Sequence, residues 1–203
     1  MKRTHINWFC VVGAIAVLIC ASASTQPPKP PSTGSAGQEQ KTQLEPMQSQ
    51  SGTVVIKGYT ETGYISGSPV VSVNCVEMAD LSTHARWTGM TIELWTLVGV
   101  RSLSKESVVS YIDYDRIEPL LKGIDYIAKV RASPSKLARF EATYRDQGSF
   151  SISTKNDDDD KGTVIAVVTC GSVVPVSRKI TMAELAEIKA MIVKAKEKLD
   201  SIK

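Results

Sequence analysis

The sequence is poor in histidine and cysteine, the residues that most often supply nucleophile–base pairs or bind transition metals. Its 203 residues include two histidines and four cysteines. His5 lies in the N-terminal segment, and His84 lies in a predicted loop without a GxSxG elbow or other nucleophile motif. Because zinc sites need several closely spaced Cys and His ligands, the pattern predicts no metal site and no cofactor.

The sequence also has no excess of positive charge. Lys and Arg together number 24, and Asp and Glu number 21. Lys2 and Arg3 belong to the N-terminal segment, which leaves 22 basic against 21 acidic residues. Proteins that bind nucleic acid concentrate basic residues on one face. A nearly neutral chain therefore argues against nucleic-acid binding by bulk charge.

The N-terminal segment has the pattern of a secretory signal. Its apolar run, residues 6–21, is shorter than the about 20 residues that a membrane span needs. Lys2 and Arg3 precede the run, and Ala21-Ser22-Ala23 supplies the small residues at which signal peptidase cleaves. We predict a signal peptide at 1–23 and export to the periplasm, the cell surface or the medium.

Two alternatives would attach the protein to a membrane. One is an uncleaved signal, and the other is a lipid on Cys20. Acylation prefers a small residue before the cysteine, and Ile19 occupies that place. Both stay open at this point.

The rest of the chain divides into a tether and one domain. Residues 24–52 are rich in Pro, Ser, Gly and Gln, so they cannot bury enough apolar surface to fold, and we expect a disordered tether. Residues 53–203 have the length of a single domain. Cys75 and Cys170 are its cysteines; they either form a disulfide, as export permits, or stay buried as free thiols.

The domain alternates between strand and helix patterns. Two helices with one apolar stripe are predicted at 115–129 and 182–202. Residues 79–89 are predicted as a loop. The β-branched and alternating strand segments are 53–60, 69–78, 90–100 and 106–112, then a hairpin at 138–154, 162–171 and 172–177.

The two halves resemble each other. The apolar positions of the helices match at a constant offset of 68 residues, and a Ser-Val-Val strand start occurs at 107–109 and again at 172–174. The prediction is an α+β domain of two (ββββα) repeats, 53–130 and 137–203. Each repeat is an antiparallel four-stranded sheet followed by one helix.

This repeated topology resembles that of the Whirly and Pur-type single-stranded nucleic-acid binders. The resemblance covers 53–203 and involves no shared motif. It implies a sheet face with basic and aromatic residues, for which this chain offers Tyr59, Tyr64 and Trp95 but no basic stripe. Two segments, "SYIDYDRIEPLLKGIDYIAKV" and "FEATYRDQGSFSI", are also similar in sequence to a group of uncharacterised exported bacterial proteins. That resemblance spans most of the domain and implies no activity.

Three acidic residues between the fourth strand and the first helix have two interpretations. Asp113, Asp115 and Glu118 could serve acid–base chemistry, as in glycoside hydrolysis. Alternatively, Asp115 and Glu118 have the spacing of a capping box, with Asp113 as another cap. We favour capping, since the second helix begins with Thr181 and Glu184 at the same spacing.

A run of four aspartates, Asp157–Asp160, is the most concentrated charge in the chain. Its spacing lacks the alternation and late Glu of an EF-hand, so a solvated hairpin tip is the favoured interpretation. Together these features predict an exported binding or scaffold module without catalytic activity, in the cell envelope or facing a surface ligand. The alternatives are a polymer hydrolase using the three acidic residues, and single-stranded nucleic-acid binding. Partners cannot be named from the sequence.

Overall fold

A computed structural model of the chain describes residues 42–98, 104–130, 136–137, 139–147, 149–156 and 163–203. They belong to one compact unit, Gln38–Lys203. The predicted signal peptide with Cys20, the tether up to residue 41 and the Asp157–Asp160 run lie outside the described residues. In chain order, the described elements are α1 (Leu44–Gln48), β1 (Val55–Ile65), β2 (Val70–Asp80), β3 (Arg86–Val98), β4 (Ser104–Asp113), α2 (Tyr114–Ala128), β5 (Glu141–Arg145), β6 (Ser151–Asn156), β7 (Val164–Cys170), β8 (Val176–Ile180) and α3 (Met182–Asp200).

The predicted fold class is confirmed. The strands form two antiparallel four-stranded sheets in the orders β1-β2-β3-β4 and β5-β6-β7-β8, and each sheet is followed by a helix. Every pairing in these sheets joins strands that are consecutive in the chain, because short connections favour antiparallel hairpins. Both long helices end within two residues of the predicted positions.

Two predicted boundaries are wrong. The expected loop at 79–89 is mostly strand, since β2 continues to Asp80 and β3 begins at Arg86. The Asp80 carboxylate closes the short connection by accepting a hydrogen bond from the Ser82 N–H at 2.7 Å. In addition, residues 172–174 precede β8, so the Ser-Val-Val match with 107–109 is not a structural equivalence.

The duplication appears instead in the strand registers. In the first sheet one row of paired residues is Gly63, Val73, Ile92 and Ser110. The row that corresponds to it in the second sheet is Tyr144, Ile152, Val168 and Arg178. Ser110 and Arg178 stand at the same offset of 68 residues as the helix positions. The repeats are therefore equivalent in sheet register as well as in helix phase.

The two repeats share one hydrophobic core. Each long helix contributes its buried stripe, for example Ile117, Leu120 and Ile124 in α2. The two long helices pack on each other, and each contacts both sheets. α3 contacts β1, β2 and β3 of the first sheet and β7 of the second, whereas α2 contacts β5 and β6 as well as β3 and β4. Neither repeat could bury its apolar faces alone in this arrangement, so we expect the two repeats to fold as one unit.

The N-terminal end of the described chain corrects the predicted tether. Residues 42–52 were expected to be part of it, but α1 packs on the outer face of the first sheet. Leu44 is fully buried and Met47 is 8% exposed, in a cluster with Val76, Met78 and Tyr111. Two apolar side chains in a polar segment suffice to hold α1 on the sheet, because the outer face of the sheet is itself apolar at that point.

A buried arginine joins the second repeat to the first. Arg178 on β8 donates hydrogen bonds to the carbonyl oxygens of Ile65, Ser66 and Pro69 at 2.8 to 2.9 Å. Its guanidinium also donates to the Glu184 carboxylate at 2.7 Å. At the equivalent position on β4, the Ser110 hydroxyl donates to the Ser149 carbonyl oxygen at 3.2 Å and lies 3.4 Å from the Ser149 hydroxyl. Each repeat thus bonds the first hairpin turn of the other repeat. The contact that Arg178 makes with the β1–β2 turn is much the stronger of the two.

Candidate functional site

The outer face of the second sheet is a wide open concavity of about 630 Å³. Side-chain hydroxyls from all four strands of the sheet and from the β5–β6 and β7–β8 connections form much of its lining. The hydroxyls on the strands are those of Thr143 (β5), Ser151 and Ser153 (β6), Thr169 (β7) and Ser177 (β8).

Strand alternation produces this polar face. Ile152 on β6 points into the core and is fully buried, so its neighbours Ser151 and Ser153 point outward. Pairing then places the outward residues of successive strands side by side: Ser151 is opposite Thr169, which is opposite Ser177. The hydroxyls of Thr169 and Ser177 are 2.8 Å apart and hydrogen-bonded.

The concavity contains both signs of charge. Arg145 and Lys155 supply positive charge, and Glu141 supplies negative charge at the same strand end as Lys155. The Glu141 carboxylate accepts a hydrogen bond from the Thr143 hydroxyl at 3.1 Å. Apart from Phe150, which is buried, no aromatic residue occurs among the described residues that line the concavity.

One end of the concavity contains a buried ion pair. The Asp146 side chain is fully buried; its Oδ1 accepts bonds from Arg116 Nε and Nη2, at 3.2 and 3.0 Å, and from the Tyr144 hydroxyl. Burial raises the pKa of Asp146, although Arg116 opposes the shift, and burial raises the pKa of Tyr144 to about 12. Asp146 Oδ2 is buried without a hydrogen-bond partner among the described residues.

The corresponding face of the first sheet is not open in the same way, because α1 covers part of it. Asp113 holds this cover in place. Its carboxylate accepts hydrogen bonds from the backbone N–H groups of Gln43 at 2.8 Å and Leu44 at 3.2 Å. Asp113 is only 7% exposed. It therefore serves as an anchor for the N-terminal segment.

The predicted cap at the start of α2 needs correction. The helix begins at Tyr114, so Asp113 is the N-cap residue and Asp115 lies inside the first turn. No side-chain cap hydrogen bond is formed there, because the Asp113 carboxylate is used for α1. Asp115 and Glu118 are exposed on α2. Asp113 and Asp115 line a smaller hollow of about 220 Å³, which Glu118 does not reach.

The C-terminal helix α3 has the capping box that its sequence predicts. The Thr181 hydroxyl accepts from the Glu184 N–H at 3.1 Å, and the Glu184 carboxylate accepts from the Thr181 N–H at 2.7 Å. Glu184 also pairs with Arg178, so the box is connected to the contact between the repeats.

Of the two alternatives for the cysteines, the structure has free thiols. Cys75 lies on β2 with its Sγ 3.4 Å from the Ala195 carbonyl oxygen, and Cys170 lies on β7 with its Sγ 3.6 Å from that of Ile92. Burial raises the pKa of Cys75, and raises that of Cys170 to about 12.

Neither cysteine belongs to a group that could bind a metal ion, and no such group occurs in the described ranges. His84 lies in the turn after β2, with a backbone φ of 59°, and is exposed. It does not line the concavity of the second sheet.

Sequence reasoning did not identify the concavity. The outward serines and threonines alternate with buried residues in the "SFSIST" and "VVTC" segments, which was the available signal. The buried pair Arg116–Asp146 had no such signal, because its members are 30 residues apart.

Comparisons with protein-family models, curated proteins and solved structures found no match. In the part of the chain that the structure describes, no helix is long and apolar enough to cross a membrane.

Proposed function

We propose that the protein is an exported binding module whose ligand surface is the hydroxyl-lined outer face of the second sheet. The observation that carries the proposal is the contrast between the two sheets. The chain covers part of the first outer face with α1, whereas the equivalent face of the second sheet remains open, concave and polar. Export itself rests on the sequence pattern of residues 1–23.

The chemistry of the face favours a ligand rich in hydroxyl groups, and we assign it to polysaccharides. Each Ser or Thr hydroxyl both donates and accepts, as sugar hydroxyls do. Neighbouring strands lie about 4.8 Å apart, so Ser151, Thr169 and Ser177 form a regular row. A repeating polar chain can bind such a row through many hydrogen bonds, whereas a compact apolar ligand would leave the hydroxyls unpaired.

The two other functions have less support from the geometry. A hydrolase using Asp113, Asp115 and Glu118 would have to free the Asp113 carboxylate from two backbone amides. Single-stranded nucleic acid needs exposed aromatic rings for base stacking, and the concavity has none among its described lining residues.

The experiment is a binding titration against soluble neutral and anionic polysaccharides, with a single-stranded oligonucleotide as comparison. The test variant is Thr169→Val/Ser177→Ala. Its folding stability should be nearly unchanged, since two hydroxyls that bond each other are removed together. Polysaccharide affinity should fall about tenfold.

Thr96→Val is the matched control, because Thr96 lies on β3 of the first sheet and outside the concavity. It should bind as the unmodified protein does. Binding to the oligonucleotide alone, or equal losses in both variants, would contradict the proposal.

A further inference from the structure

The first sheet has one long open edge. β1 is the terminal strand of that sheet and extends over 11 residues, Val55–Ile65. Residues 56–61 are all exposed, and Tyr59 retains 74% of its surface. Val54, Ile56 and Tyr64 add further exposed apolar surface along it. A long edge strand with apolar side chains is a template for pairing with another strand.

The other terminal strands are protected. β4 has only its first four residues, 104–107, exposed, and residues 108–113 are half-buried or buried. β5 and β8 have five residues each, and the middle residue of β8, Arg178, is 9% exposed. Short or buried edges cannot accept a new strand over a useful length. Among the described edge strands, β1 therefore offers the longest exposed stretch for pairing.

The backbone of β1 presents its free groups in a defined order. The Leu81 N–H donates to the Val54 carbonyl oxygen at 3.0 Å, so the backbone N–H and C=O groups of Val54 point toward β2. In an antiparallel ladder the direction alternates, and residues 56, 58 and 60 then point the same way. Lys57, Tyr59 and Glu61 direct their N–H and C=O groups to the open edge. The irregularity after Glu61 ends this regular stretch.

The three outward residues fit a second copy of the same stretch. In an antiparallel pair centred on Tyr59, Lys57 of each copy lies opposite Glu61 of the other. Centring on Lys57 would oppose two lysines, and centring on Glu61 would oppose two glutamates, both of which are unfavourable. The charge pattern therefore selects one register, in which Tyr59 meets its own copy.

We propose that two copies of the chain form a symmetric dimer by antiparallel pairing of their β1 strands, with the two-fold axis at Tyr59. The pairing is closed, because each copy uses the same strand, β1, for the contact. It joins the two first sheets into one continuous sheet. The outer face of the second sheet takes no part, so the dimer is independent of the ligand surface proposed above.

The first test is charge reversal. The full chain is expressed with its N-terminal segment, so that any processing occurs in the cell, and is studied by analytical ultracentrifugation over a series of concentrations. Glu61→Lys places two lysines opposite each other at both ends of the ladder, and the dimer dissociation constant should rise about tenfold. Lys57→Glu/Glu61→Lys exchanges the charges and should restore dimerisation.

The Lys57 ammonium also donates to the Tyr111 hydroxyl at 3.2 Å, so thermal unfolding of each variant accompanies the measurement. A monomer at every concentration, or a dimer that Glu61→Lys leaves unchanged, would overturn the proposal. Oligomers that keep growing with concentration would also overturn it, because they indicate a contact that does not close.

The second test fixes the register. Residues that face each other in a hydrogen-bonded antiparallel pair have Cα atoms about 5.5 Å apart, within the range of a disulfide. Tyr59→Cys should therefore form a cross-linked dimer under mild oxidation. The native Cys75 and Cys170 are buried, and the unsubstituted chain measures any other cross-link. Tyr64→Cys is the matched control, since it lies beyond the irregularity after Glu61 and far from the two-fold axis, out of reach of residue 64 in the second copy. Equal cross-linking at 59 and 64 would refute the register.

Discussion

Replacing Arg178 with alanine should be the most damaging single change at the contact between the repeats. The side chain is 9% exposed and donates to three carbonyl oxygens of the β1–β2 turn and to Glu184. The substitution leaves the three carbonyls and the carboxylate without this donor. Removing one member of a buried charged pair costs about 3–5 kcal/mol. A lysine at this position keeps the charge but loses the planar set of donors, so Arg178→Lys should recover less than half of the loss.

The equivalent residue of the first repeat provides the matched control. The neutral hydroxyl of Ser110 contacts Ser149 of the β5–β6 turn, through the carbonyl oxygen at 3.2 Å and the hydroxyl at 3.4 Å. Ser110→Ala should therefore cost only about 0.5–1.5 kcal/mol.

Chemical denaturation at neutral pH measures both free energies of unfolding, with unchanged m-values as evidence that the folded and unfolded states remain comparable. If Arg178→Ala costs no more than Ser110→Ala, the assignment of the main inter-repeat contact to Arg178 is wrong.

Three other predictions concern the packing of the helices, the N-terminal segment and the acid range. Gly123→Ala should destabilise the protein although alanine favours helices, because a Cβ there would lie 2.3 Å from the Tyr144 ring; a gain in unfolding free energy would contradict this contact. Asp113→Ala should release the α1 segment, seen as faster proteolysis within 42–52 than in Asp115→Ala, while equal rates would refute the anchor. For Glu184, burial acts to raise the pKa, but the bonds from Thr181 and the Arg178 charge outweigh it and lower the pKa below 4.5. Its stabilisation is therefore present above pH 4.5 and lost as the pH falls. The pKa of Asp146 is raised in the folded state, so its effect on stability is opposite to that of Glu184. The free energy of unfolding falls as the pH rises from 3.8 through the pKa that Asp146 has in the folded protein. We expect denaturation measured from pH 3 to 7 to show that Glu184→Gln is less stable than the unmodified protein at neutral pH and that this difference disappears at low pH. Asp146→Asn should gain stability relative to the unmodified protein as the pH rises. Stability curves that run parallel to that of the unmodified protein would refute both predictions.

Much of this fold could be predicted because its signals are local. Alternation in the strands and the three- and four-residue steps of Ile117, Leu120 and Ile124 define the elements, and the repeated order predicts two similar sheets. An apolar stripe does not say which sheet it covers, so the contact of α2 and α3 with both sheets could not be foreseen. The same limit explains the error at 42–52, where Leu44 and Met47 gain burial only from the outer face of a distant sheet.

The candidate site was less predictable than the fold. The acidic residues were conspicuous in the sequence, yet the structure uses Asp113 to bind backbone amides. The hydroxyl face was inconspicuous, since single serines and threonines in strands carry no motif. It becomes visible only when β6, β7 and β8 are placed in register and Ser151, Thr169 and Ser177 form a row.

The most direct test of the proposed function is polysaccharide binding by the unmodified protein and by Thr169→Val/Ser177→Ala. The two hydroxyls bond each other at 2.8 Å in the open face of the second sheet, so their joint removal changes the ligand surface with little effect on folding. We predict saturable binding to a polysaccharide that weakens about tenfold in the variant and remains unchanged in Thr96→Val. Saturable binding with the same affinity in all three proteins would contradict the assignment of this face.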